Sequence, residues 1–557
     1  MKPLKGNSWL WWAVIVPPLL LVAVPAATLV VSSFRDAPPG AAGLWTLGNY
    51  VSVLASPRVW SVAVTTFWIA LAATALALTA GFFMAWLVAR TDIPGRRLLS
   101  VVAIVPFLAP SLVVAIGWAI LGNPDNGIIN GFYRALTHGT GNIVDVYSYG
   151  GVALVMSFPA AGFIYLMMLG PLSNFDPSLE DSARLSGASP WYVFRTIAAP
   201  LLMPAFLPFA IIAFIRAIEA FEVPQILGTP AGIYVFINFI YDALKVQTPP
   251  HYGTAIALSV FVGSGALLIV GIAAHLQQAR ATVSGKGFQP RRIKLRKAKI
   301  PCLIAAWGYL ALLLLPLGAI VLSSFWRFLG NYDPKLATLA NYRFIATDPT
   351  TQRALLNTIA LMFIASTVCV VIGCLLSFAL LRKIRFGRVA IDALLLIPWA
   401  IPGLILGVAL LWTYINIPGM YGTFWAVLFG FVTLGIPLAM RSTGSVLAQL
   451  GSDLEEASAV HGANAATTLR RIVVPLIMPG LVAAWFTLAT LFSRELSVSV
   501  MLYGFGSEVT SVQLLSYWEQ GEGTRVAALS VLLVAFVFLL YVLQQRVTKN
   551  VRIPEPQ

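Results

Sequence analysis

Polar residues in this chain are confined to short intervals. Between them run apolar stretches of about 20 to 30 residues, long enough to cross a bilayer core of about 30 Å. The pattern predicts twelve membrane-spanning helices. Six fall near residues 10–33, 61–89, 98–121, 149–172, 201–218 and 254–276, and six near 301–324, 355–381, 389–414, 421–440, 476–493 and 525–543. Lys2 and Lys5 precede the first run, which is long for a cleaved signal region and reads as an uncleaved first helix. Pro106 and Pro110 interrupt the third span, as is tolerated where neighbouring groups satisfy the freed carbonyls.

The second six spans repeat the first. Asn341-Tyr342 matches Asn49-Tyr50, and Pro398 and Pro402 match Pro106 and Pro110, all at a shift of 292 residues. Further along, the shift drops to 275, the difference coming out of the loop after the third span of each half. The chain therefore divides into a first half at 1–276, a joint at 277–300 and a second half at 301–557.

One stretch between the fourth and fifth spans, at 176–200, recurs at 451–475. The first copy contains Asp181-Ser182-Ala183, Gly187 and, past nine residues, Ile197, then Pro200; the second contains Glu456-Ala457-Ser458, Gly462, Ile472 and Pro475. The physical reading is a helix, a break and a second helix. Asp176 caps the first helix with Pro177 at its first position, Gly187 ends it, and Ser189 caps the next. In the second copy Ser452 and Glu455 form a capping box, Gly462 is the break and Asn464 is the new cap. An ordinary amphipathic connection lying on the membrane is the plain alternative, but it does not predict repeated spacing.

This doubled pattern resembles the EAA loop of the permease subunits of type I ABC importers, which runs E-A-A-x-x-x-G, nine residues, I-x-L-P. It departs at Asp181 and Ser182 in the first copy, at Ser458 in the second, and at Ala199 and Val474 before the prolines. The resemblance implies an all-α polytopic membrane protein of about twelve transmembrane helices in two homologous six-helix halves, the MetI-like fold of those transmembrane domains. It implies that Asp181, Ser182, Ala183, Gly187 and Pro200, with Glu456, Ala457, Ser458, Gly462 and Pro475, belong to two short coupling helices. These would fit clefts on two copies of a cytoplasmic ATPase subunit that carry the ATP and magnesium; this chain would bind no cofactor. A periplasmic or lipid-anchored solute-binding protein would deliver a small solute, and the halves would rock between alternating-access states.

Composition and charge agree with a membrane protein. The 557 residues are 59% hydrophobic and 10% charged, with a mean hydropathy of +0.85, against about a quarter charged in soluble domains. The formal net charge of +15 could suggest nucleic acid, but the cations lie in short loops. Arg90, Arg96, Arg97, Arg184, Arg382, Lys383, Arg441, Arg470, Arg471 and Arg546 fall on one side of the expected topology, and Glu495, Glu508, Glu519 and Glu522 on the other. That bias places both termini and both motif loops in the cytoplasm of a bacterial inner-membrane protein. The joint carries Arg280, Lys286, Arg291, Arg292, Lys294, Arg296, Lys297 and Lys299 without an acid, and reads as a linker beside anionic lipid rather than a nucleic-acid site.

The sequence carries no G-x-x-x-x-G-K-[ST] phosphate cradle. Its three cysteines lie in apolar runs, and His138, His251, His275 and His461 are scattered, so no metal or catalytic set is expected. The chain reads as a permease rather than an enzyme. A major-facilitator-type secondary transporter also has twelve spans in two halves, but its fourth and fifth spans are joined by a short loop, without a doubled capped motif.

Fusion of two halves in one chain resembles the ferric-iron and thiamine permeases. Arg216-Ala217-Ile218-Glu219-Ala220-Phe221-Glu222-Val223-Pro224, with Arg494-Glu495-Leu496-Ser497 at the matching place, resembles the ferric-iron branch. That makes ferric iron the expected solute, with phosphonate, polyamine or thiamine as alternatives. Glu219, Glu222, Arg494 and Glu495 are candidates for a solute path or gate, because charges near span ends are costly facing lipid. The alternatives are an Arg494–acid pair fixing the halves, or surface charge for docking the binding protein.

Overall fold

A computed structural model describes residues 8–278, 292–384, 387–451 and 453–550. Ser452, one member of the expected capping box, and Arg280, Lys286 and Arg291 of the joint lie outside the described residues. Among those described, the regular structure is helical, with three isolated β-bridges.

Among the described residues ten helices are long and apolar enough to cross a membrane, or eleven if one bent pair is counted as a span. They account for ten of the twelve expected spans. The other two differ from expectation: the third and ninth are not continuous helices. The third is divided into Arg96–Val102, Val105–Leu108 and Ser111–Gly122, and the ninth into Arg388–Leu395, Ile397–Ala400 and Gly403–Tyr414. Proline is the cause. It forces the preceding residue out of the helical region, and Ala109 and Ile401, just before Pro110 and Pro402, are extended with ψ of 139° and 149°.

A second difference lies in 219–253, expected as an outside loop. Pro224–Ala231 and Phe236–Val246 form a helical pair bent by 77°. Ile226, Leu227, Ile237 and Ile240 are fully buried in it, so this segment is part of the core.

The second and fourth spans of each half make its most extensive internal contact. Glycines permit it. A Cβ at Gly81 would lie 2.5 Å from the Ala161 carbonyl oxygen, and one at Gly373 would lie 2.7 Å from the backbone of Ala439. Gly373 stands 292 residues after Gly81, so the close approach is itself repeated.

The first spans cross over. Ser8–Ser33 packs against Gly403–Tyr414 of the other half, and Lys299–Ser324 packs against Ser111–Gly122. Each half thus lends its first helix to cover the broken third span of its partner half. The repeated Asn-Tyr pairs fasten the far ends of these helices. Asn49 Nδ2 donates to the carbonyls of Ser33 and Arg35 at 3.0 and 2.8 Å, and Asn341 Nδ2 to those of Ser324 and Trp326 at 3.0 and 2.9 Å. The hydroxyls of Tyr50 and Tyr342 hydrogen-bond Ser33 and Ser324.

Candidate functional site

The two motif loops have one geometry. In the first, Asp176 accepts from the Ser178 N–H at 2.8 Å and starts the helix Pro177–Leu185. Gly187, at φ +85°, ends it: its N–H donates to Arg184 and that of Ala188 to Ala183. Ser189 then accepts from the Tyr192 N–H to begin the next helix. In the second, Asp453–Val460 is ended by Gly462 at φ +80°, with bonds from Gly462 to Ala459 and Ala463 to Ser458, and Asn464 accepts from the Thr467 N–H. Both closures are the left-handed glycine cap the sequence predicts.

Pro200 and Pro475 also have a local role. Each lies just past a widened π turn, Phe194–Ala198 and Leu469–Val473. A proline inside a helix lacks the N–H and crowds the carbonyl four residues back, and a wider turn relieves both.

The small motif residues differ in their bonds. Ser182 Oγ donates back to Ser178, while Ser458 Oγ bonds Thr468 Oγ1 at 2.8 Å and so links the two helices of its loop. Sequence reasoning missed two apolar positions. Leu185 is 90% exposed and Val460 is 85% exposed, and they are equivalent at the 275 shift, as are the exposed Leu179 and Leu454. An apolar side chain inside a charged, exposed loop was the available signal. A repeated pair of exposed apolar groups at matching positions suits a protein contact.

The acids before the motif turn inward. Glu180 accepts from Arg90 Nη2 at 2.8 Å, and Glu455 from Arg382 Nε at 2.9 Å. Arg382 comes from the end of Pro349–Lys383, the second span of its half, and the capping box expected of Glu455 with Ser452 involves a residue outside those described.

Of the candidate path residues, Arg494 and, through Arg216, Glu219 lie at a seam between the halves, and the four do not form one ion-pair cluster. Arg494 donates from Nη1 to the carbonyls of Phe107, Leu108 and Ala109 at 2.9, 3.0 and 3.1 Å. These are the carbonyls that the break before Pro110 separates from their helical partners. Arg494 forms no ion pair among the described residues. Glu495 is turned into its own loop, accepting from the N–H groups of Val498 and Ser499 and from Ser499 Oγ at 2.8 to 3.1 Å. Glu219 pairs with Arg216 at 3.1 Å, and Arg216 lies 5.3 Å from the ring centroid of Trp399 in the other half. Trp399 is the repeat equivalent of Phe107, so a guanidinium from each half reaches the broken span of the other. Arg216 itself went unassigned in the sequence, because it reads as one more span-end cation.

Two repeated halves, each with a broken third span and a capped motif loop, built from helices long and apolar enough to cross a membrane, define a multi-pass transport protein of the membrane. The chain belongs to the family of binding-protein-dependent transport system inner membrane components, whose model matches residues 77–282 and 369–553. It is 25% identical, over 98% of its length and 96% of the relative's, to a probable ABC transporter permease protein of Sinorhizobium fredii. It is also 25% identical, over its whole length and 81% of the relative's, to the ferric transport system permease protein FbpB of Actinobacillus pleuropneumoniae. Among solved structures it is similar to a bacterial ABC transporter that imports alginate: 19% identity, 49% of this chain, 97% of that one, TM-score 0.40.

Proposed function

We propose that this chain forms the membrane passage of an ATP-driven importer whose cargo is ferric iron. The observation that carries the coupling part of this reading is the doubled motif loop, with one capped geometry and one pair of exposed apolar side chains in each copy. A partner that hydrolyses ATP on two equivalent subunits would meet two equivalent surfaces. Asp181 to Gly187 and Glu456 to Gly462 are the contact segments, and the energy enters through them; the ATP and its magnesium belong to the partner. The basic loops support a cytoplasmic position for these segments and for both termini, and a solute-binding protein delivers the cargo from the other side.

Ferric iron is favoured because full-length likeness goes with it. The ferric permeases of Actinobacillus pleuropneumoniae and Haemophilus influenzae match 100% and 90% of this chain. The relatives named for spermidine/putrescine and 2-aminoethylphosphonate match 38% and 44% of it, over 81% and 93% of their own length, and so correspond to one half rather than to the fused pair. Arg216, Glu219, Glu222 and Arg494 border the seam that must open for passage.

The test is recovery of the chain from its native membrane, identification of co-purifying proteins, and reconstitution in vesicles with ferric iron, a phosphonate or a polyamine. ATP-dependent uptake of ferric iron alone is the expected result. Recovery without an ATPase, and uptake driven by an ion gradient, would replace the reading with a secondary transporter.

A further inference from the structure

Each motif helix is short and is held to the flanking spans only by narrow connectors. The first runs from Pro177 to Leu185 and ends at a left-handed glycine. Such an element can pivot on its connectors when pushed, and then nothing reaches the bundle. A third attachment prevents this in both halves.

Arg90 ends the 34-residue helix Pro57–Arg90, and its side chain is only 3% exposed. Its guanidinium donates to the Phe175 carbonyl at 3.1 Å and to Glu180 at 2.8 Å, and lies 4.9 Å from the centroid of the Phe175 ring. Arg382 ends the equivalent helix. It donates to the Leu450 carbonyl at 2.8 Å and to Glu455 at 2.9 Å. Arg382 follows Arg90 by 292 residues, and Leu450 and Glu455 follow Phe175 and Glu180 by 275. The same pair of hydrogen bonds is thus built twice, across two separately shifted segments. In each, one arginine grips the chain just before the motif helix and an acid on its first turns.

The first joint is reinforced from the linker. The Ile293 N–H donates to the Arg90 carbonyl at 2.7 Å, the Asp92 N–H to Ile293 at 3.2 Å, and the Leu295 N–H to the Asp92 carboxylate at 3.0 Å. The backbone that carries Arg90 is therefore tied to the entry of the second half.

We infer that Arg90–Glu180 and Arg382–Glu455 are positioning pairs that carry displacement of the motif helices into the long second span of each half. The inference rests on the motif loops being the coupling segments. A charge-assisted bond from a planar guanidinium resists both stretching and rotation, which a neutral contact at an exposed helix does not. The long second spans in turn pack along the fourth spans through Gly81 and Gly373, so a pull at the joint is passed into the core of each half.

The experiment uses the full chain with its co-purified ATPase, carrying Ser497→Cys, a half-buried position three residues past Arg494 that packs on Gly403 of the broken ninth span, and Cys302→Ala. The rate of thiol labelling is measured with and without ATP, a readout that needs no knowledge of the cargo. Glu180→Gln with Glu455→Gln is compared with the parent. The expected result is an ATPase that still co-purifies and hydrolyses ATP, while the ATP-dependent change in labelling shrinks about tenfold, the scale of losing a charged hydrogen bond. An unchanged labelling response overturns the inference. So does loss of the ATPase from the complex, which would make the pairs part of the docking surface only. If the double variant does not survive purification, Glu455→Gln alone leaves Arg382 on the Leu450 carbonyl and is read the same way. A parent that recovers no ATPase at all overturns the coupling reading itself.

Discussion

Arg494 of the second half donates a hydrogen bond to the carbonyl of Phe107 in the first, across 387 residues of sequence and 2.9 Å of space. The same nitrogen also serves Leu108 and Ala109. In a membrane-embedded bundle each unsatisfied carbonyl is expensive, so the broken third span depends on a residue it does not share a half with. Arg494→Gln is expected to destabilise the purified protein by about 2 kcal/mol or more, the value of one or more hydrogen bonds to a charged group. Arg494→Lys, which keeps a charge and donors, is expected to recover part of it. Thermal unfolding in detergent measures both. A glutamine variant that melts with wild type would mean that the carbonyls find other donors.

The seam is not symmetric. At the position equivalent to Arg494 the first half has Glu219, which cannot donate to a carbonyl when ionised, and its cation is Arg216, one turn earlier. The cross-half contact on that side is the face of Trp399 instead.

The Asn-Tyr repeat makes a second prediction. Asn341 is buried, and both its amide hydrogens are committed to carbonyls at the end of the seventh expected span. Asn341→Leu is close in size but leaves those carbonyls without donors. It is expected to cost about 2 kcal/mol, read as a lower melting temperature, and Asn49→Leu less, because Asn49 is less buried.

Much of this was legible in the chain. Repeated letters at constant shifts gave the two halves, and Asp176, Gly187, Ser189, Gly462 and Asn464 revealed their caps because capping depends on local chemistry. The prolines of the third and ninth spans were visible, but how far they would break a helix was not. That depends on whether distant groups such as Arg494 satisfy the carbonyls. Arg90 and Arg382 were read as orientation charges, since sequence gives a cation's side of the membrane but not the acid it meets. The inward fold of 219–253 was hidden for a similar reason: a short helical pair with polar ends has the composition of a loop until its neighbours bury it.

The glycine closures can be tested apart from packing. A Cβ at Gly187 or Gly462 would meet nothing within 4 Å, so substitution acts only through the positive φ. Gly187→Ala and Gly462→Ala are each expected to cost about 1 kcal/mol locally and to lower both recovery of the partner ATPase and ATP-driven uptake. Gly308→Ala is the control. It is equally open but lies in the helix Lys299–Ser324 without a positive φ, and is expected to leave both measurements unchanged.

Asp348 offers a prediction in pH. It caps the helix Pro349–Phe378, accepting from the Thr351 N–H at 2.8 Å, the Thr351 hydroxyl at 2.7 Å and the Tyr517 hydroxyl at 3.1 Å. Burial, the largest single influence, pushes its carboxyl up. The bonds from Thr351 and Tyr517 and the charge of Arg353 together outweigh it, so Asp348 titrates below the ordinary carboxylate value. A depressed folded value means that the charged form stabilises the fold. That contribution is complete above the unfolded value of about 4 and fades as the pH falls through the folded one. Asp348→Asn keeps an oxygen for the cap but removes the charge, so it is expected to lose about 1 kcal/mol near neutral pH, the difference between a charged and a neutral hydrogen bond, and to approach wild type as the medium is acidified below pH ~4. Thermal unfolding of both proteins across that range decides it. A difference that stays constant with pH would mean that the carboxylate's charge contributes nothing and that the cap works through hydrogen-bond geometry alone.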